Sequence, residues 1–127
     1  MSKKLWEASQ RLKSNSNLYN FDQYISKKYN KKFNQNYSSI LKWSISNPGK
    51  FWDSVWDYCS IKGQKGKKKL IKSKVFYKNK FLPKSKLNFS ENLLSKNNKD
   101  KAITFISENG FREERNWKQL NNNVSRI

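Results

Sequence analysis

Trp43-Ser44-Ile45-Ser46-Asn47-Pro48-Gly49-Lys50-Phe51-Trp52-Asp53-Ser54-Val55-Trp56-Asp57-Tyr58 holds three of the five tryptophans in a chain of 127 residues. Indole rings carry so much apolar area that a cluster of them implies a packing surface. Within this stretch Asn47 is a good N-cap, and Pro48 takes the first helical position, where its missing N–H costs nothing. At 100° per residue, Phe51, Trp52, Val55, Trp56, Tyr58 and Cys59 fall within an arc of about 160°. Lys50, Asp53, Ser54 and Asp57 fill the opposite arc and are expected to face water. A helix of this kind must lie against something large and apolar.

Upstream, Leu18, Phe21, Ile25 and Tyr29 recur every three or four residues, which predicts a helix from Asn17 to about Tyr29. Asn36 is placed to cap a second helix, in which Tyr37, Ile40, Leu41 and Ile45 share a face. The first fifteen residues, with Leu5, Trp6 and Leu12, are at best weakly helical. Downstream, Ile61 to Lys69 reads as a solvated loop of Gly and Lys, and Leu70 to Phe76 as a short strand. Asn88, with Glu91 three residues on, predicts a capped short helix carrying Leu87, Phe89, Leu93 and Leu94 on its apolar side.

Ala102 to Ile106 is β-rich, and Asn109-Gly110 is a strong hairpin signal, with Phe111 to Arg115 as the returning strand. Asn116 and Gln119 then form a capping-box pair for a last helix bearing Trp117, Leu120, Val124 and Ile127. No stop signal follows it, which suggests truncation. The elements give an α+β class: helices first, then a β-hairpin and one further helix.

Composition sets outer limits. Lys and Arg together number 28 against nine acidic residues, a net charge of +19, and 35% of residues are hydrophobic. Such charge alone raises disorder or nucleic-acid binding. The aromatic content of 15% argues against disorder. Lysine far outnumbers arginine, whereas a selected nucleic-acid site favours the planar fork of Arg. A nucleic-acid partner is therefore disfavoured, and a small basic nucleic-acid-binding protein is kept as the alternative reading. Histidine is absent and Cys59 is the only cysteine. That removes Ser-His and Cys-His nucleophile pairs, intrachain disulfides and Cys-based zinc sites. Neither a signal peptide nor an apolar run long enough to span a bilayer is present, so no membrane partner is expected and the default compartment is the cytoplasm.

Five features invite a chemical reading. Gly63-Gln64-Lys65-Gly66-Lys67-Lys68-Lys69 has two residues between its glycines where a P-loop needs four, and lacks the Ser or Thr after its lysine, so it reads as a solvated linker. Asp53 and Asp57 share a helix face, but two carboxylates make a weak cation site and read better as a solvated face. Glu113 and Glu114 adjoin in a strand, point to opposite sides and cannot work as an acid–base pair. The lysines interleaved with Tyr and Phe from Lys67 to Lys80 match a single-strand nucleic-acid surface. They also match an edge strand guarded by lysine, which is preferred because the aromatics have core roles to fill. Cys59, on the apolar arc, reads as a small core residue. No catalytic, cofactor-binding or metal residue is assigned.

Taken together, these residues resemble the N-terminal part of the acetoacetyl-CoA synthetases, acetoacetate–CoA ligases of the adenylate-forming acyl-CoA synthetase superfamily. The matching pieces are Leu5-Trp6 with Ser9, and the helix from Leu18 to Tyr29 leading to Phe33 and Tyr37. The pattern Trp-Ser-x-x-x-Pro-x-x-Phe-Trp-x-x-x-Trp-x-Tyr follows from Trp43 to Tyr58, then Leu87-Asn88-Phe89-Ser90-Glu91-Asn92-Leu93-Leu94, then Ala102 to Val124. The chain departs from the family in having Pro83-Lys84 for its usual Pro-Gly, and Asn116-Trp117 for its Thr-Trp.

The resemblance implies a helical N-terminal region over 1–94 and the start of an AMP-binding (adenylation) domain over 95–127. It implies ATP, Mg²⁺ and CoA as cofactors of a longer parent, with none held by this stretch. It also implies that Phe51, Trp52 and Trp56 pack on the remainder of the adenylation domain, and that the stretch alone is inactive.

Overall fold

The structure, a computed structural model, describes residues 5–126. These gather into two compact units, the first ending at Lys86 and the second beginning at Leu87. The class is α+β, as the sequence predicts.

Unit 1 opens with a short helix α1 (Gln10–Ser14) capped by Ser9, then α2 (Asn17–Tyr29), whose N-cap is Ser16. Helix α3 (Tyr37–Ser46) is capped by the Asn36 side chain, as expected, and α4 (Pro48–Tyr58) follows with Pro48 in its first turn. Asn47 does not cap α4 with its side chain. It is also the C-cap of α3, and its amide nitrogen turns back to donate to the Trp43 carbonyl at 3.3 Å. One residue closing two abutting helices has only one side chain to spend.

The core is small and aromatic. Phe21 and Ile25 of α2, Phe33 of the connecting loop, and Ile40 and Trp43 of α3 are buried, with Ile25 fully enclosed. The Trp43 ring meets Tyr29 and Phe33 at 5.3 Å and Phe51 of α4 at 6.3 Å, centroid to centroid. Such tilted and edge-on pairs add to the gain from burial. On α3 the buried line is Ile40 and Trp43, whereas Tyr37, Leu41 and Ile45 remain exposed. The expected face was displaced because a wide indole on an adjoining line takes the inside position.

The loop from α2 to α3 is held by Asp22, which is buried. Its Oδ1 accepts from Ser26 Oγ and its Oδ2 from the Gln35 N–H, both at 2.8 Å. Asn34 and Gln35 both have positive φ, 53° and 56°. A buried carboxylate with two donors can offset backbone strain of that kind.

The stretch expected as a strand from Leu70 to Phe76 pairs over only two residues. β1 (Leu70–Ile71) runs antiparallel to β2 (Lys80–Phe81), with Leu70 opposite Phe81, and a 3₁₀ turn spans Phe76–Lys78 between them. The Ile61–Lys69 loop is not a free linker. Gln64 and Lys86 exchange backbone hydrogen bonds of 2.7 and 2.9 Å, and the Gly66 N–H donates to Ser85 Oγ. A Cβ on Gly66 would stand 2.6 Å from the Pro83 carbonyl oxygen, so glycine is needed for close approach of two chain segments. Lys84, beside Pro83, has φ +68°, a left-handed conformation whose steric cost a lysine carries.

Unit 2 contains a short helix α5 (Phe89–Leu93), whose Glu91 N–H donates to Asn88 Oδ1. Then come β3 (Lys101–Ile106), β4 (Arg112–Asn116) and α6 (Trp117–Val124). The hairpin forms where the sequence places it. Ser107 N–H donates to the Phe111 carbonyl and Gly110 sits at φ +83°, so the loop has three residues, Glu108 to Gly110. At α6 both halves of the capping box form: Asn116 Oδ1 accepts from the Gln119 N–H, and Gln119 Oε1 from the Asn116 N–H. The helix ends at Val124, and Ser125 follows it with αR dihedrals. Ile127 lies outside the described residues.

Candidate functional site: a lysine-clasped carboxylate and an open apolar groove

Helix α4 carries the main surprise. Asp53 and Ser54, expected to face water, are buried, Asp53 at 4% exposure and Ser54 at none. Ser54 Oγ donates to the Lys50 carbonyl at 2.8 Å and lies 2.9 Å from the Tyr29 hydroxyl, which seams α4 to α2.

Asp53 sits among three ammonium groups. Lys65 Nζ is 2.6 Å from Oδ1, while Lys69 Nζ at 2.9 Å and Lys28 Nζ at 3.2 Å share Oδ2. Lys28 and Lys65 also reach Asp57, at 2.8 and 2.6 Å. Lys65 additionally donates to the Asp53 carbonyl. Burial pushes the Asp53 carboxyl up, but hydrogen bonds from Lys65, Lys69 and Lys28 outweigh it and hold the group down at about 2. Asp57 is held below the usual carboxylate range by Lys28 and Lys65. Burial opposes the charged form of Lys28, but bonding to Asp57 and Asp53 raises it above the ordinary lysine value. Lys65 moves the same way for the same reasons.

Among the described residues, no group of three or more His, Cys, Asp or Glu side chains is placed to hold a metal ion. The donor set of the Asp53–Asp57 pair does not fit Mg²⁺. Its oxygens already accept from three cations, and a hard divalent ion wants six or so free oxygen ligands. Nor does the glycine–lysine loop fit ATP phosphates, because Gly66 is packed beneath Pro83 and Lys65 and Lys69 are turned onto Asp53. These residues do structural work: they tie α2, α4 and the loop after α4 through one carboxylate.

The sequence singled out Asp53 and Asp57 but missed Lys28, Lys65 and Lys69. The available signal was thin: α4 has no lysine or arginine four residues from either aspartate, and Lys50, three residues before Asp53, lies over the Tyr29 ring instead. Cys59 is exposed rather than a core residue, because it sits at the C-cap of α4, beyond the last packed turn. Glu113 and Glu114 do point apart: Glu114 pairs with Lys101 and Arg112, and Glu113 with Arg115. Lys101 and Arg112 hold the exposed Glu114 carboxyl below its usual range.

The second feature is a groove of about 410 Å³ between α2, α3 and α4, walled by Leu18, Phe21, Ile40, Leu41, Val55 and Tyr58. The apolar arc of α4 thus divides. Phe51 turns toward the Phe21 and Trp43 rings, Trp52 leans on Phe81 at 5.7 Å while staying 43% exposed, and Val55 and Tyr58 line the open groove. No helix among the described residues is long and apolar enough to cross a membrane.

The relatives of this chain are CoA synthetases. No protein-family model matches the chain, and no solved structure does. Over 123 residues, 97% of the chain, it is 30% identical to acetoacetyl-coenzyme A synthetase of Rhizobium meliloti, covering 19% of that protein. It is also 30% identical over 130 residues to malonamoyl-CoA synthetase vrtB of Penicillium aethiopicum, covering 96% of this chain and 18% of that one. Acetoacetyl-CoA synthetase of Danio rerio matches at 27% over 74 residues, 57% of the chain and 11% of the relative. The chain is thus related to the CoA synthetases, with the acetoacetyl-CoA synthetases among its relatives, as the motif order implies. It spans about a fifth of the length of the first two.

Proposed function

We propose that this chain serves as the N-terminal region of an acetoacetate–CoA ligase, folding as a scaffold on which the remainder of an adenylation domain packs. The observation that carries the reading is similarity along 97% of the chain to an acetoacetyl-coenzyme A synthetase. The complete enzyme would join the acetoacetate carboxylate to the α-phosphorus of ATP, releasing pyrophosphate. The CoA thiol would then attack the acyl-adenylate and displace AMP. ATP, Mg²⁺ and CoA belong to that complete enzyme; within this stretch the Asp53–Asp57 pair does not fit Mg²⁺ and the glycine–lysine loop does not fit ATP phosphates. This chain's contribution is packing: the exposed face of Trp52, together with Trp56, anchors the rest of the domain, while Phe51 packs on the chain's own core. The cytoplasm is the proposed compartment.

The test is a chimera in which this chain replaces the matching segment of the Rhizobium meliloti enzyme. Consumption of the CoA thiol is followed with ATP and acetoacetate. The expected result is acetoacetate-dependent thioester formation by the chimera and none by the isolated 127-residue chain. A folded, soluble chimera that makes no thioester with acetoacetate or other short acyl acids would overturn the reading.

A further inference from the structure

The β1–β2 hairpin carries exposed aromatic rings of its own, apart from those of α4. Phe76 and Tyr77, on the 3₁₀ turn at its tip, are 87% and 81% exposed, although the sequence reading set nucleic acid aside on the ground that these rings had core roles. Two adjacent rings at such exposure form an apolar patch rather than a lone surface residue, and apolar patches rimmed by polar residues mark interaction sites.

The tip is ordered by its own hydrogen bonds. Ser73 N–H donates to Asn79 Oδ1 at 2.8 Å, Val75 N–H to Ser73 Oγ at 3.2 Å, and Lys78 N–H to the Val75 carbonyl at 3.0 Å. The two rings are therefore carried on a set backbone. Lys72, Lys74, Lys78 and Lys80 flank them, all exposed and none with a carboxylate partner among the described residues. Around the hairpin the charge is of one sign: between Asp57 and Glu91 the chain has eleven lysines and no acidic residue. Asp53 engages only Lys65 and Lys69 of that stretch.

We propose that this hairpin tip binds single-stranded nucleic acid, with bases stacking on Phe76 and Tyr77 and phosphates held by Lys72, Lys74, Lys78 and Lys80. Stacking requires an open π-face, which a duplex keeps inside its own stack, so a single strand fits and a duplex does not. An acidic peptide would satisfy the lysines and leave the rings without a flat partner. The proposal stands apart from the ligase reading, because it concerns exposed residues of the hairpin alone.

The test uses the full chain and a fluorescein-labelled oligothymidine dodecamer, followed by anisotropy across a salt series from about 50 to 200 mM. Saturable binding that weakens steeply with salt is expected. The Phe76→Ala/Tyr77→Ala variant should retain its circular dichroism and melting temperature and lose affinity by about tenfold or more. Changing the four lysines to glutamine should flatten the slope of log K against log salt by about 2 to 3. Equal binding by the ring-less variant would overturn the proposal, as would equal displacement of the dodecamer by heparin or by a duplex of the same length. Tighter binding to polyglutamate than to the dodecamer would assign the surface to an acidic protein instead.

Discussion

Unit 1 encloses Phe21, Ile25, Phe33, Ile40 and Trp43, whereas unit 2, from Leu87 onward, encloses no side chain fully among its described residues. Both have good local design. Unit 2 has the more complete cap, the Asn116–Gln119 box, and a well-signalled hairpin, yet Ile103, Phe105, Ile106 and Phe111 stay largely in water. A two-stranded ribbon is marginal alone, because one pairing cannot cover both of its faces. Unit 1 has the poorer junction at Asn47 and several left-handed non-glycine residues, but its three longer helices share one aromatic core. Local signals decide which element forms; shared burial decides whether it persists.

The contrast can be broken most directly at Trp43. Trp43→Ala should cost about 3–5 kcal/mol of unit 1 stability by urea titration, the range for emptying a buried aromatic site. A loss under about 1 kcal/mol would mean that the ring cluster is no core. Amide exchange sharpens the same point: amides around Ile25 and Ile40 should exchange about a hundredfold or more slowly than those of β3 and β4, since opening free energies follow burial. Comparable protection in both units would remove the distinction.

Acid should act on unit 1 through Asp53. Its folded value of about 2 lies below the ordinary 3.8, so its stabilisation is present in full above about pH 4 and is lost as pH falls toward 2. The expected loss is about 2 kcal/mol, and Asp57, lowered by the same lysines, adds to it. Asp53→Asn should show that loss already at neutral pH and a flatter acid profile; a variant as stable as the parent would mean the clasp contributes nothing.

Smaller effects are expected at single turns. Asn116→Ala should destabilise α6 by about 1 kcal/mol, read from exchange of the Gln119 amide. Lys84→Gly should stabilise unit 1 by about 0.5–1 kcal/mol, since glycine accepts φ +68° without the Cβ penalty. A destabilising Lys84→Gly would show that the lysine side chain offsets its own strain.

How far the sequence could be read follows the range of the interactions involved. Helix α2 was legible to its ends, and the caps at Asn36, Asn88 and Asn116 and the hairpin at Gly110 were each written in residues one to five positions apart. The Asp53 clasp was not legible. Its lysines come from 25 residues before the aspartate and from 12 and 16 after it, and nothing local to α4 marks which loop will fold back. Phe76 and Tyr77 were assigned to a core for the same reason: their composition suits burial, and only the placement of the chain shows that no described residue covers them.

By itself the sequence determined the order of helices and strands, most of their caps, the α+β class and the kinship with CoA synthetases, because periodicity, capping and motif order are properties of neighbouring residues. Tertiary structure alone decided which arc of α4 is buried, that a carboxylate on its polar side would be clasped by three distant lysines, and that the rings of the β1–β2 tip would face solvent. A helix has two sides that hydrophobicity can rank, but burial of a charge depends on whether counter-charges converge on it, and convergence is a matter of chain path rather than of spacing.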